Sequence, residues 1–202
     1  MQRKAHPGDY WSAEEGRRDT NFRARAILRS ETMDLHRRAE ELIGNRPFED
    51  RASYAELLRS NLAVTETILR AVEPLLPQAL TRGITTDVER LRADLCALSE
   101  QAACDCATFE VRDPAVAIGA VYVMEGARLG GTVLARQAKV QLGLTAATGA
   151  TYLNGEGKGA GYRWQGFLAA LEQRLVLRDD ISRAVMAARD TFRLVILQYE
   201  RM

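Results

Sequence analysis

The segment DPAVAIGAVYVMEGARLGG, residues 113–131, carries a strong helix signal. It opens with Asp113-Pro114, a pair that typically caps an α-helix and fills its first position. Apolar residues then follow the helical period, which predicts one long helix to about Gln141, ended by Gly143. Glycines at positions 119, 126, 130 and 131 interrupt the pattern, although each costs about 1 kcal/mol relative to alanine. They indicate either tight helix–helix packing or a close approach of backbone to a flat, bulky ligand, and the segment alone supports both interpretations.

The remaining sequence is also helical in pattern. Apolar spacing predicts helices over about residues 23–44, 53–72, 85–102, 162–176 and 179–200. Gly44 is expected to end the first, and Ser53 to cap the second with Glu56 completing a capping box. Residues 143–162 are expected to form a connection. No segment alternates like a strand, so we predict an all-α bundle of five to eight helices, with a flexible N-terminal extension at residues 1–22 and a single domain over residues 23–202.

The composition sets limits on function. Among 202 residues, 47% are hydrophobic and 27% charged, which is typical of one globular domain. The net charge of +1 gives no electrostatic case for binding nucleic acid. No apolar run reaches the roughly 18–20 residues of a membrane span, and the polar start lacks the core of a secretory signal, so we expect a cytoplasmic protein. A cluster of arginines near the start is either a solvated face or a site for an acidic ligand or protein: Arg17, Arg18, Arg23, Arg25, Arg29, Arg37 and Arg38.

Several metal and nucleotide sites are excluded by ligand count or spacing. A di-iron bundle needs two Glu-x-x-His pairs, but the chain has only His6 and His36, and Met33 stands three residues before His36. Zinc hydrolase chemistry lacks ligands for the same reason. The three cysteines, Cys96, Cys104 and Cys106, are an odd number for a disulfide framework, and Cys104-x-Cys106 lacks a partner pair of histidines or cysteines, so all three are expected to be ordinary reduced thiols. The glycine-rich residues 155–161 do not have P-loop spacing and are expected to be a linker.

His36 lies at the margin of the apolar face of the first predicted helix. On a helical wheel it falls about 80° from Leu28, while Leu35 and Ala39 fall within about 40°. Glu40, one turn later, can reach the imidazole, and a carboxylate on the second ring nitrogen is typical of a metal-bound histidine. Taken alone, a single histidine at a helix margin is more often structural. Combined with the bare glycine helix, it would complete a sandwich for a planar cofactor.

Three segments together resemble the bacterial heme oxygenases, particularly the type found beside bacterial phytochromes. They read LRxxTxxLHxxxE from Leu28 to Glu40, AVYVMEGxxLGG from Ala120 to Gly131, and GYRWxxFL from Gly161 to Leu168. Their order and spacing agree over about residues 25–175. The middle segment is the most specific of the three.

The resemblance implies an all-α fold that holds heme between a proximal and a distal helix. His36 would be the proximal iron ligand with Glu40 as its hydrogen-bond partner, and Gly126, Gly130 and Gly131 would lie at the distal face. The implied activity is cleavage of heme to biliverdin, Fe(II) and CO, with O2 and electrons from a ferredoxin or a reductase. Heme is then both substrate and cofactor. Further candidate heme contacts are Thr32, Arg29, Tyr122, Arg163 and Phe167, although a surface role is equally compatible with Arg29, Tyr122 and Arg163.

One position departs from the family pattern. Many members, especially the mammalian type, carry an aspartate after the first distal glycine, where it orders water for oxygen activation. This chain has Ala127 there, so that role is assigned to no residue. A non-catalytic heme-binding or sensing protein of the same fold is therefore the alternative function, and a helical interaction module without heme is a third. A bacterial phytochrome that receives biliverdin would be an expected partner of the enzyme.

Overall fold

The computed structural model describes residues 23–44, 46–102, 107–157 and 159–202. Throughout these ranges the regular structure is helical, which confirms the all-α prediction, and no helix there is long and apolar enough to cross a membrane. The extension expected at residues 1–22, as well as Cys104 and Cys106, lies outside the described residues. In chain order the elements are α1 (Arg23–Ile43), a 3-10 turn (Arg46–Phe48), α2 (Arg51–Val72), α3 (Gln78–Ala97), α4 (Pro114–Leu142), α5 (Thr151–Asn154), α6 (Gly159–Arg174) and α7 (Arg178–Tyr199).

The long helix α4 has the ends that its sequence predicts. The Asp113 carboxylate accepts hydrogen bonds from the backbone N–H groups of Ala115 (2.8 Å) and Val116 (3.1 Å), which no earlier turn of the helix can satisfy. Gly143 ends the helix with φ +69°, a left-handed conformation that glycine adopts without strain. Gly44 ends α1 in the same way, with φ +46°.

Two predicted helix starts were wrong. Helix α2 is capped by Asp50, whose carboxylate accepts from the Ser53 N–H at 2.7 Å, so Ser53 lies inside the first turn instead of capping it. Helix α3 begins at Gln78 rather than near Thr85, because Gly83 and Ile84 are buried and tertiary packing extends the helix back to Pro77.

The connection predicted at residues 143–162 contains the short helix α5 and the start of α6. The buried Asp94 of α3 holds α5 in place. Its carboxylate accepts from the N–H groups of Thr151 and Tyr152, both at 2.8 Å, so it supplies the acceptors that the first turn of α5 would otherwise lack.

Helix α7 is the common support of the bundle. It packs along α4 on one side and along α1 on the other, and α6 also contacts both. Within the described ranges α1 and α4 have no extensive contact with each other. The Glu172 carboxylate of α6 accepts from the N–H groups of Ala24 (3.1 Å) and Arg25 (2.8 Å), which fixes the start of α1. In this fold α1 and α4 are therefore separated, and both pack against α6 and α7.

Candidate functional site

His36 stands at the edge of α1, as the wheel predicts, with its side chain 35% exposed. Its Nδ1 lies 3.5 Å from Oε2 of Glu40, which is long for a hydrogen bond but places a carboxylate on that ring nitrogen. The ring also meets Phe192 of α7 edge-on, with centroids 5.8 Å apart and planes at 75°. Two neighbours on different helices therefore restrict the imidazole.

The four glycines of α4 divide into two pairs. A Cβ on Gly119 would collide with the Ala184 backbone of α7, and one on Gly131 would lie 2.8 Å from the Leu153 carbonyl oxygen of α5. These two glycines are needed for close helix packing. A Cβ on Gly130 would meet nothing within 4 Å, and one on Gly126 only Cη2 of Trp164 at 3.8 Å. Gly126 and Gly130 therefore leave a bare strip of backbone that no neighbour in the described structure requires.

This division separates the two interpretations that the sequence left open. Gly131 stood among the candidate heme contacts, but the space its missing side chain leaves is taken by Leu153 of α5. We therefore assign Gly131 a role in packing, and its contact with heme stays a prediction. Gly126 and Gly130 stay as candidates.

An aromatic cluster borders the bare strip. Trp164 of α6 is buried and stacks on Phe167, with centroids 5.9 Å apart and planes at 24°. Its centroid lies 5.6 Å from that of Tyr122, one turn before Gly126. Tyr122 and Phe167 were predicted as heme contacts but Trp164 was not, although of the three only the Trp164 side chain comes within 4 Å of a Cβ built on Gly126. Its place inside the third family segment was the available signal.

The remaining predicted heme contacts are Thr32, Arg29 and Arg163. The Thr32 hydroxyl donates to the Leu28 carbonyl of its own helix at 2.7 Å, so its hydrogen-bonding capacity is already used in part. Arg29 is half-buried on α1. Arg163 lies in ion pairs with Glu125 of α4, at 3.3 Å, and with Glu156. The structure thus joins Arg163 to carboxylates rather than leaving it on an open surface.

A buried ionic cluster formed by Arg128, Asp87 and Glu125 was not predicted. Arg128 of α4 contacts Asp87 of α3, with Nε 2.6 Å from Oδ2, and all but 9% of its side chain is buried. Burial opposes the charged guanidinium, but the carboxylates of Asp87 and Glu125 outweigh it and raise the pKa of Arg128 above its ordinary value. Arg128 is therefore a permanent buried cation, which sequence periodicity could not reveal for a charged residue.

Comparison with known proteins agrees with this architecture. The family model described as heme oxygenase matches residues 23–200. The fold also matches the crystal structure of the NO- and CO-bound heme oxygenase from Neisseria meningitidis, with a TM-score of 0.76 and 20% identity over 90% of this chain and 92% of that chain. At this identity the likeness shows the fold alone. A search of curated proteins found no match. Because the family model spans nearly all described residues, we conclude that the chain belongs to the heme oxygenase family.

Proposed function

We propose that this chain is a biliverdin-producing heme oxygenase, which cleaves heme with O2 and external electrons to biliverdin, Fe(II) and CO. Family membership supports a heme-degrading function in general terms. The observation that carries the specific proposal is that α1 presents His36 and α4 presents the bare strip at Gly126 and Gly130. Both helices pack against α6 and α7 and have no extensive contact with each other, which suits a planar ligand between them.

On the proximal side, His36 would bind the iron. Glu40 approaches Nδ1, so Nε2 is the nitrogen that we assign to the metal. A carboxylate on the second nitrogen selects the tautomer and increases the basicity of the ligand. The edge contact with Phe192 would limit rotation of the imidazole.

On the distal side, Gly126 and Gly130 would admit the porphyrin and its oxygen close to the backbone of α4. Bound heme supplies the redox chemistry of iron and O2, while the chain positions it and limits access of water. Trp164 would form one wall of this side, since its ring already borders Gly126. Exposed Ala127 offers no polar side chain, so the group that orders water there is assigned to no residue.

The two propionates favour basic and hydroxyl partners. We propose Arg29 and Tyr122 for this role. Arg163 is a weaker candidate, because its Nε and Nη1 already pair with the carboxylates of Glu125 and Glu156.

We further propose two protein partners, an electron donor and a recipient of biliverdin. Electrons would come from a ferredoxin or a reductase, and exposed arginines of α1 such as Arg23 and Arg37 offer positive charge for an acidic donor. Strong inhibition of turnover by salt is the expected signature. A bacterial phytochrome would be a suitable recipient of biliverdin, and a cytoplasmic location would suit both partners.

The test is reconstitution of the purified chain with hemin. We expect a histidine-ligated Soret spectrum, which decays to a biliverdin band when ascorbate or a ferredoxin system is added in air. Catalase is included in every reaction so that free hydrogen peroxide cannot cleave the heme. The product is then identified chromatographically against authentic biliverdin.

The other functional classes give different outcomes in the same experiment. A Soret spectrum that persists under reduction in air selects the non-catalytic heme-binding or sensing protein, which Ala127 favours. Absence of any Soret shift on titration selects a helical module without heme. Either outcome rejects the enzyme.

A further inference from the structure

Arg128 projects from the side of α4 opposite the glycine strip. Successive residues of an α-helix are rotated by about 100°, which places Arg128 about 160° from both Gly126 and Gly130. The two glycines themselves are only about 40° apart. A contact that fixes Arg128 on one side of α4 therefore also fixes the direction in which the glycine strip faces.

Arg128 contacts one carboxylate on the neighbouring helix α3 and one on its own helix, and only the contact with α3 restrains the rotation of α4. Its Nε lies 2.6 Å from Oδ2 of Asp87 on α3, and its Nη1 lies 2.5 Å from Oε1 of Glu125 on α4. The side chains of both carboxylates are only 4% exposed. Arg90 adds a second contact to Asp87, with Nη1 3.6 Å from Oδ1. Removing one member of such a buried set leaves an uncompensated charge, so the pair resists separation.

Gly83 of α3 makes room for this arrangement. A Cβ on Gly83 would collide with the guanidinium groups of both Arg128 and Arg163. Glycine is a poor helix former in the interior of α3, but here it lets two long cations lie against the backbone. Arg163 in turn contacts the second oxygen of Glu125, at 3.3 Å, so α3, α4 and α6 meet in one ionic cluster.

We propose that Arg128 is a positioning residue of the heme site, whose buried pair with Asp87 sets the rotation of α4 and so presents Gly126 and Gly130 to the distal face. This inference rests on the proposed function, because it assigns the strip to heme. It gives Arg128 no contact with heme and no part in proton transfer.

The test compares Arg128→Met with Arg136→Met, which removes an exposed arginine from the same helix. In the heme-free protein we expect hydrogen exchange of the amides of residues 126–131 to accelerate at least about tenfold in Arg128→Met and to be unchanged in Arg136→Met. In the ferrous heme complex with CO, we expect the C–O stretching band to shift or broaden in Arg128→Met, with His36 ligation retained. Biliverdin from this variant should contain a mixture of isomers.

Two further variants keep the result interpretable. If Arg128→Met does not fold, Asp87→Asn removes the charge of the partner at nearly constant shape and should shift the same band. Arg128→Lys keeps the charge and should restore the wild-type band in part. A loss of thermal stability with a wild-type C–O band and a wild-type isomer pattern would show a merely structural role and overturn the inference.

The outcomes also separate this inference from the proposed function. Normal biliverdin formation together with unchanged exchange and C–O band in Arg128→Met overturns the positioning role alone. Wild-type protein that binds heme without cleaving it rejects the enzyme, while a shifted band in the variant still supports the positioning role. A chain that binds no heme overturns both.

Discussion

Gly119 of α4 lies directly against the backbone of Ala184 on α7, so closely that no side chain fits between them. Gly126 falls about 20° from Gly119 on the helical wheel, two turns later, yet among the described residues a Cβ there would meet only Trp164. One face of α4 is thus closed by packing near its start and open near its middle. Gly119 is therefore required for helix packing, whereas Gly126 is not.

Alanine substitutions should separate these reasons. Gly119→Ala should lower the free energy of unfolding of the heme-free protein by about 1–3 kcal/mol, because the new methyl group collides with Ala184. Gly131→Ala should behave similarly against Leu153. Gly130→Ala should instead be neutral or stabilising by up to about 1 kcal/mol, because helix propensity improves and nothing is displaced.

Gly130→Ala, the variant expected to leave the heme-free fold intact, should nevertheless impair the function with heme. The measurements are chemical denaturation of the heme-free variants, heme affinity and turnover. We expect Gly130→Ala to lower heme affinity, turnover or both, although its fold is stable. Equal turnover of Gly130→Ala and wild type would remove Gly130 from the proposed site.

Substitution at His36 tests the iron ligand. His36→Ala should abolish the histidine-ligated Soret spectrum and reduce turnover at least about tenfold, and added imidazole should restore the spectrum in part. Glu40→Gln keeps the shape of its side chain but loses the charge near Nδ1, so a weaker loss is expected. Persistence of the wild-type spectrum in His36→Ala would refute the assignment.

Glu172 should stabilise α1, the helix that carries His36. Its carboxylate accepts from two N–H groups at the positive end of that helix, so Glu172→Ala should lower the free energy of unfolding by about 1 kcal/mol. Gln173→Ala, an exposed change on the same helix, is the matched control. Thermal or urea denaturation of the heme-free protein measures both, and identical stabilities would exclude the cap.

Tyr199 should make the fold sensitive to alkali. Burial raises the pKa of its phenol from 10.0 to about 12, and its hydroxyl donates to Oδ1 of Asn61 on α2 at 3.0 Å. The folded chain thus holds the proton more tightly than the unfolded chain. Stability from the neutral phenol is fully present below pH 10 and is lost as the pH rises through about 12, by about 2–3 kcal/mol in total.

The measurement is the free energy of unfolding as a function of pH. Tyr199→Phe should flatten the decline between pH 10 and 12, although it is less stable at neutral pH because the bond to Asn61 is lost. Burial also raises the pKa of Tyr54, so some decline should persist in that variant. A slope equal to that of wild type would show that Tyr199 does not titrate with unfolding.

The class of fold follows from the sequence, because helix periodicity and helix end signals are local. Asp113, Pro114 and Gly143 define α4 through bonds and backbone angles within a few residues of each end. His36 and Glu40 likewise meet because they are one helical turn apart. The same locality explains the errors at Ser53 and Thr85, where a better cap at Asp50 and burial of Ile84 set the true starts.

Which glycines of α4 are bare depends on tertiary packing. Gly119 and Gly130 are equivalent in local pattern, and what lies opposite each depends on α5, α6 and α7, which are distant in sequence. The pair of Asp87 and Arg128 is likewise hidden, because charged residues are expected at the surface and their burial follows from a partner 41 residues away. Local interactions therefore specify the helices, and long-range packing specifies the space between α1 and α4.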